Sequence, residues 1–170
     1  MKKLFRLSQI PLKSLIGIPW FYVVWRVTRC WPSIRLKSWV WRHALGIKIG
    51  KYAGLSPYVY PDPITPFNLI IGNRTFIGEF THLICHNING PIIDGELMKM
   101  NFSNKIEIGK SCLIGGDCVL IAPVKICDGA IVGCCSVVIG KKIGKNEIWA
   151  GNPARRIGYV NGNGERIITK

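Results

Sequence analysis

The feature that most constrains this chain is a six-residue period. Stepping by six from Ile108 gives Ile108, Ile114, Leu120, Ile126, Val132 and Val138, all aliphatic. One residue later stand Gly109, Gly115, Ile121, Cys127, Gly133 and Ile139. Four residues after the aliphatics come Cys112, Cys118, Val124, Ala130 and Ser136, all small or β-branched, and then Lys142, which breaks the rule. A second block reads Ile71, Ile77 and Leu83, with Gly72 and Gly78 behind them and Thr75 and Thr81 in the small slot, which fails at Asn87. A shorter block reads Ile49 and Leu55, with Ala53 and Val59. Six is neither the helical period nor the alternation of a flat sheet. It suits a chain that runs straight, turns and repeats, so that three units close a triangular coil. The aliphatic residues then fill the prism axis and the small residues fit at corners beneath the next coil. Glycine beside the aliphatic avoids a Cβ clash, and coils stack about 4.8 Å apart. Residues 108–143 supply two coils and 71–88 one. Residues 49–60 begin another, which Pro61-Asp62-Pro63 and Pro66 interrupt.

Composition narrows the class. The 170 residues are 48% hydrophobic and 19% charged, which excludes a disordered chain. With 19 Gly and 10 Pro, a turn-rich all-β chain is favoured over a helical bundle. The net charge of +14 is uneven: residues 1–51 hold eleven Lys/Arg and no acid, and 52–170 hold twelve against nine acids. Charge gathered in one arm, rather than across a folded face, argues against a nucleic-acid partner. The same arm carries Trp20, Trp25, Trp31, Trp39 and Trp41. Tryptophan interleaved with cations suits a water–lipid boundary and contact with anionic headgroups; packing of the arm on the body is the competing expectation. The longest uncharged run, Ser14 to Trp25, contains Pro19 and falls short of the about 20 apolar residues a bilayer span needs. No small-x-small cleavage site follows the basic start, so a cytoplasmic protein, peripheral at the inner face of the plasma membrane, is expected. Seven cysteines, an odd number without a C-x2-C pair, read for the most part as small buried hydrophobes in a reducing compartment rather than a disulfide framework or metal site.

From about Gly46 to Gly158 the chain resembles the hexapeptide-repeat acyltransferases, whose fold is a left-handed parallel β-helix. The ending Ile148-Trp149-Ala150-Gly151-Asn152-Pro153-Ala154-Arg155-Arg156 is similar to that family's G-N-P-A-[RK] signature. Within the family the chain is most similar to surface-polysaccharide O-acetyltransferases of the colanic acid acetyltransferase type, which share segments like Leu45 to Lys51 and Pro66 to Gly72. The resemblance implies an all-β fold: a basic, Trp-rich arm over 1–45, a β-helix domain over 46–158 with a loop insertion at 87–105, and a C-terminal tail over 159–170. It also implies acetyl-CoA as co-substrate, no metal, a sugar or glycan acceptor and a homotrimer.

The insertion interrupts the repeat with Asn87, Asn89, Asp94, Glu96 and Asn101, polar groups suited to a hydroxyl-rich ligand, of which Asn87, Asp94 and Glu96 are the substrate-binding candidates. Acetyl transfer to a hydroxyl needs a base, and imidazole titrates nearest neutrality. His43 lies in the arm, leaving His82 and His86. By resemblance the catalytic histidine precedes such a loop, which favours His86 as general base and makes His82 the second candidate. Glu79, Asp94 and Glu96 are candidates to orient it, and Cys85 is the residue for a competing acyl-enzyme route. A backbone N–H would stabilise the oxyanion. The resemblance places acetyl-CoA around Gly116, Ala122 and Cys134–Cys135 at a junction of subunits. Its phosphates need cations, for which Lys141, Lys142, Arg155 and Arg156 are the candidates, with Lys145 nearby. The alternatives are acetylation of serine, an amino sugar or an antibiotic, a γ-carbonic-anhydrase-like zinc hydratase, for which His82-x3-His86 is a pair without a third ligand, and a catalytically silent scaffold.

Overall fold

The computed structural model describes residues 12–88, 92–93, 96–97 and 100–169, with side chains described over 17–86 and 101–169. The chain winds as a triangular parallel β-helix. Its first coil holds β1 (Lys48–Ile49), β2 (Gly54–Leu55) and β3 (Tyr60–Pro61), and its second β4 (Leu69–Ile71), β5 (Phe76–Ile77) and β6 (His82–Ile84). An excursion follows with β7 (Asn87–Ile88), β8 (Ile92–Ile93), β9 (Glu96–Leu97) and β10 (Met100–Asn101). The third coil is β11 (Ile106–Ile108), β12 (Leu113–Ile114) and β13 (Val119–Ile121), and the fourth β14 (Val124–Ile126), β15 (Ile131–Val132) and β16 (Val137–Ile139). β17 (Lys142–Ile143) and β18 (Glu147–Ala150) begin a fifth. β19 (Arg155–Val160) adds antiparallel to β18 and β20 (Arg166–Ile168) antiparallel to β19, so the two continue the second face as a strand pair.

Register follows the aliphatic columns. On the first face Ile49 pairs with Ile71, Ile71 with Ile108, Ile108 with Ile126 and Ile126 with Ile143. On the second, Leu55, Ile77, Ile114 and Val132 align, and on the third Pro61, Leu83, Leu120 and Val138. All are buried and form the axial core. The corner residues extend the pattern. Thr75 Oγ1 donates to the Gly109 carbonyl at 2.6 Å and accepts from Cys112 N–H at 3.2 Å, and Thr81 does the same for Gly115 and Cys118. The thiols of Cys112 and Cys118 donate in turn to the carbonyls of Cys127 and Gly133. Only Cys85, Cys112 and Cys118 are buried, while Cys30, Cys134 and Cys135 are exposed, so the expected burial fails for most of the seven; Cys112 and Cys118 also supply corner hydrogen bonds to the next coil.

The turns themselves use a different residue from the expected one. Tyr52, Tyr58, Arg74, Phe80, Ser111, Asp117, Cys135 and Asn146, each three places after a column aliphatic, take φ between 54 and 59°. Glycine directly after the aliphatic serves close stacking instead: a Cβ on Gly115 would stand 2.5 Å from the Cys134 amide nitrogen.

The arm forms α1 (Leu12–Thr28) and α2 (Ile34–Ala44), the latter capped by Ser33, whose hydroxyl accepts from Leu36 N–H. Parallel stacking explains their chemistry. Each coil donates N–H groups to the carbonyls of the next, as Gly50 does to Ile71 and Ser56 to Ile77, so the first coil is left with carbonyls that no coil covers. Arm side chains donate to them. Arg42 reaches the Ile49 and Gly50 carbonyls, Ser38 that of Ala53, Lys37 that of Ser56 at 2.7 Å, and Trp25 that of Val59. Phe21, Val24 and Trp41 are buried in the core, with the Trp41 indole donating to Thr28 Oγ1. The arm side chains that bond the open end are cations, an indole and a hydroxyl acting as donors to its uncovered carbonyls. Part of the arm's charge and tryptophan content is therefore structural.

Candidate active site

The third edge of the prism, where the chain passes from the third face back to the first, departs from the hexapeptide path in two successive coils. After β3 the chain takes a short detour through Asp62, Pro63, Ile64 and Thr65. After β6 it leaves on the long excursion. Because Pro61 pairs with Leu83, the two departures stack, and Asp62 meets Cys85 and His86.

Asp62 is 1% exposed and fully bonded. Its Oδ1 accepts from the N–H groups of Ile64 and Thr65, both at 2.8 Å, and its Oδ2 from those of Cys85 at 2.7 Å and His86 at 2.8 Å. Oδ2 also lies 2.5 Å from His86 Nδ1. Burial alone would raise the Asp62 pKa, but the His86 ring and the backbone donors overcome it and hold the carboxyl below its ordinary value. The same bond, opposed by burial, raises the His86 pKa above that of free imidazole. A carboxylate can only accept, so Nδ1 carries the proton and Nε2 is left as the basic nitrogen. The imidazole side chain is 24% exposed. The pair can thus take a proton at one defined atom, with the developing charge held by a buried anion.

The other expected residues separate. His82 lies on β6 with its side chain exposed and its ring 5.5 Å from that of Tyr60. The carboxylate on His86 is Asp62 and not Glu79, which sits at the edge between the second and third faces. Asp94 lies outside the described residues, as do the side chains of Asn87 and Glu96, whose backbones belong to the antiparallel pairs β7–β10 and β8–β9. Cys85 is fully buried, and burial, with the Asp62 charge, pushes its thiol up to about 12. That weighs against the acyl-enzyme route, because the nucleophile would be the thiolate.

The cofactor candidates fall into two sets. Ala122, Lys141 and Lys142 share the His86 edge. Ala122 is buried with its N–H bonded to the Ile84 carbonyl, and Lys141 and Lys142 line a cleft of about 450 Å³ together with Lys105 and Lys125. Gly116 and Cys134 stand at the edge between the second and third faces, where Cys134 is exposed. Arg155 and Arg156 are exposed on β19, with Arg156 Nε 3.3 Å from Glu147. Sequence reasoning missed Asp62, Lys105 and Lys125. The signal for Asp62 was its place directly after the third aliphatic slot of the first coil. Among the described residues no three His, Cys, Asp or Glu side chains gather as a metal site, which leaves the zinc-hydratase reading without a ligand set there.

No family model matches the chain. It is 29% identical over 136 residues to "Putative acetyltransferase YvoF" of Bacillus subtilis (strain 168), covering 80% of this chain and 74% of that protein. Among solved structures it is similar to the hexapeptide-repeat acetyltransferase VCA0836 of Vibrio cholerae O1 biovar eltor in complex with acetyl coenzyme A, with TM-score 0.75 and 15% identity over 92% of this chain and 93% of that one. It is also similar to a galactoside acetyltransferase in complex with coenzyme A, with TM-score 0.64 and 22% identity over 94% and 86%. The chain therefore has the left-handed hexapeptide-repeat β-helix fold of the acetyltransferases.

Proposed function

We propose that this protein is an acetyl-CoA-dependent O-acetyltransferase acting on a sugar hydroxyl in bacterial surface polysaccharide synthesis. The observation that carries the reading is the His86–Asp62 pair: a half-buried imidazole held by a buried carboxylate, at the mouth of an insertion and on the edge that carries a lysine-lined cleft. The likeness to acetyltransferases, two of them with acetyl-CoA or CoA bound, supplies the donor. The galactoside enzyme supports a sugar acceptor.

In this reading acetyl-CoA brings the thioester. His86 Nε2 takes the proton of the acceptor hydroxyl as its oxygen attacks the thioester carbonyl, and returns that proton to the departing CoA sulfur when the C–S bond breaks. Asp62 fixes the tautomer and offsets the imidazolium charge. The lysines of the cleft offer charge to CoA phosphates, and Arg155 and Arg156 a second cationic set. Gly116 and Cys134 reach the donor from a neighbouring copy in a homotrimer. A cytoplasmic setting supplies acetyl-CoA and suits seven free thiols.

The test is incubation of the full chain with acetyl-CoA and a panel of galactosides, maltose, nucleotide sugars, lipid-linked glycans and serine, read by mass spectrometry. Acetylated sugar is expected, abolished by His86→Ala and kept by His82→Ala. Acetylation of serine alone, or undiminished sugar acetylation by His86→Ala, would overturn the reading.

A further inference from the structure

The capping role of the arm leaves one surface unexplained. α1 buries Phe21, Val24 and Thr28, the i, i+3, i+7 stripe that faces the first coil. One residue round the helix runs a second apolar stripe, Trp20, Val23 and Val27, exposed by 54, 55 and 58%. Exposed Arg26 sits beside it, and Tyr22 is 44% exposed. An isolated surface valine is ordinary, but three apolar side chains in helical register on one outer face are not. Past the N-terminal end of this stripe, α1 and the Asp62 detour flank an apolar cleft of about 90 Å³ between Trp20 and Phe67, itself 38% exposed.

We infer that the outer stripe of α1 seats the protein on the surface of an anionic lipid bilayer, a role beyond the acetyl transfer proposed above. Two features select lipid over a second protein. The stripe pairs an indole with aliphatic side chains and an arginine, the set that partitions at the headgroup boundary, where an indole keeps its polar edge wet. Trp20 presents an exposed ring whose N–H is already satisfied by the Ala44 carbonyl at 2.8 Å, so its apolar face can enter the boundary without stranding a donor. Charge is complementary as well: no acidic residue precedes Asp62 anywhere in the arm. The α1 helix has 17 residues, and no described helix is long and apolar enough to cross a membrane, so the contact lies in the plane of the surface. Since the Asp62 detour packs beside Trp20, the seat brings the His86 edge near the bilayer.

The experiment is sedimentation of the full chain with vesicles of phosphatidylglycerol and phosphatidylcholine, mixed or phosphatidylcholine alone. Binding to the anionic vesicles and little to the neutral ones is expected. The double variant V23E/V27E changes two side chains that face solvent, and should lose partitioning by about thirtyfold, from about 1 kcal/mol for each charge near the surface. V23S/V27S should lose less, with acetylation of a soluble sugar unchanged in both. Absence of wild-type binding to anionic vesicles overturns the inference, as does full binding by V23E/V27E. A wild type that ignores vesicles but falls to a lower mass in light scattering when V23E/V27E is introduced would give the stripe to a second copy instead. Loss of sugar acetylation has no bearing on this assay, so failure of the catalytic reading remains distinguishable.

Discussion

Asparagine at position 62 is the most informative change, because it keeps the shape and inverts the donor pattern. Five hydrogens converge on the Asp62 carboxylate, two on Oδ1 and three on Oδ2. An amide has one oxygen, so Asp62→Asn can serve only one side. With its oxygen toward Ile64 and Thr65, its NH2 faces the Cys85 and His86 amides and forces His86 Nδ1 to accept, moving the proton to Nε2 and blocking the base. With its oxygen toward His86, the Ile64 and Thr65 amides are stranded. Either way one buried and one half-buried backbone donor lose their acceptor, at about 1–3 kcal/mol for the buried one and less for the other, and the variant should melt several degrees lower while still folding. Activity should fall by about 10²–10⁴, the range for a mis-set general base. The pH profile separates this from plain destabilisation. His86 is raised above 6.5 by Asp62 and must be neutral to act, so wild-type kcat/KM should fall as pH drops through that raised value. Residual Asp62→Asn activity should carry its acid limb to lower pH. The assay is CoA release measured by chromatography below the variant's melting midpoint. A folded Asp62→Asn protein with activity within about threefold of wild type and an unmoved acid limb would refute the dyad argument.

Other outcomes follow from the same structure. Cys85→Ala should keep acetylation within about threefold, since a buried thiol pushed up to about 12 is no nucleophile; a loss comparable to His86→Ala would restore the acyl-enzyme route. Lys37 is buried at the first coil, and burial, opposed by the charge of Cys30, lowers its pKa from 10.5 to about 8. The folded state then binds fewer protons than the unfolded chain between these values, so Lys37 adds stability as pH rises through that window, by at most about 1.4 kcal/mol per unit. Cys85, Cys112 and Cys118, with raised pKa, act in the opposite direction. The readout is therefore the difference between wild type and Lys37→Met in urea unfolding at two alkaline pH values, and parallel slopes would contradict it.

The columns were legible because burial of the axis repeats with every coil. Ile71, Ile108 and Ile126 occupy one environment, and each occurrence strengthens the period. Asp62 was illegible for the opposite reason. It belongs to the single place where the first coil ends and prolines break the count, so it has no repeat to support it, and proximity along the chain pointed to Glu79, Asp94 and Glu96 instead. The missing step was vertical. Extending Ile49 and Leu55 by six reaches Pro61, which shares the column of Leu83, and this alone sets residue 62 against the segment leading to His86. The arm was half legible. Its charge and tryptophan fitted lipid contact and packing on the body equally, and nothing in the sequence told which side chains would do which: Lys37, Arg42 and Trp25 turn inward to carbonyls of the first coil that no coil covers.

The same vertical counting sorts the donor-binding candidates. Gly116 and Cys134 each stand two places after a second-face aliphatic, Ile114 and Val132, whereas Ala122 stands two after the third-face Leu120 and His86 three after Leu83. They therefore belong to two different edges of one prism, with the third face and its outward His82 between them. An acetyl donor touching both sets must either lie across that face or bridge the edge of one copy to the edge of another. The first path would cover the His82 and Tyr60 rings and leave the His86 corner at its margin. The second would set His86 of one copy beside Gly116 and Cys134 of the next, as the homotrimer proposed above requires, with the lysines on the His86 edge facing the ligand they are proposed to hold.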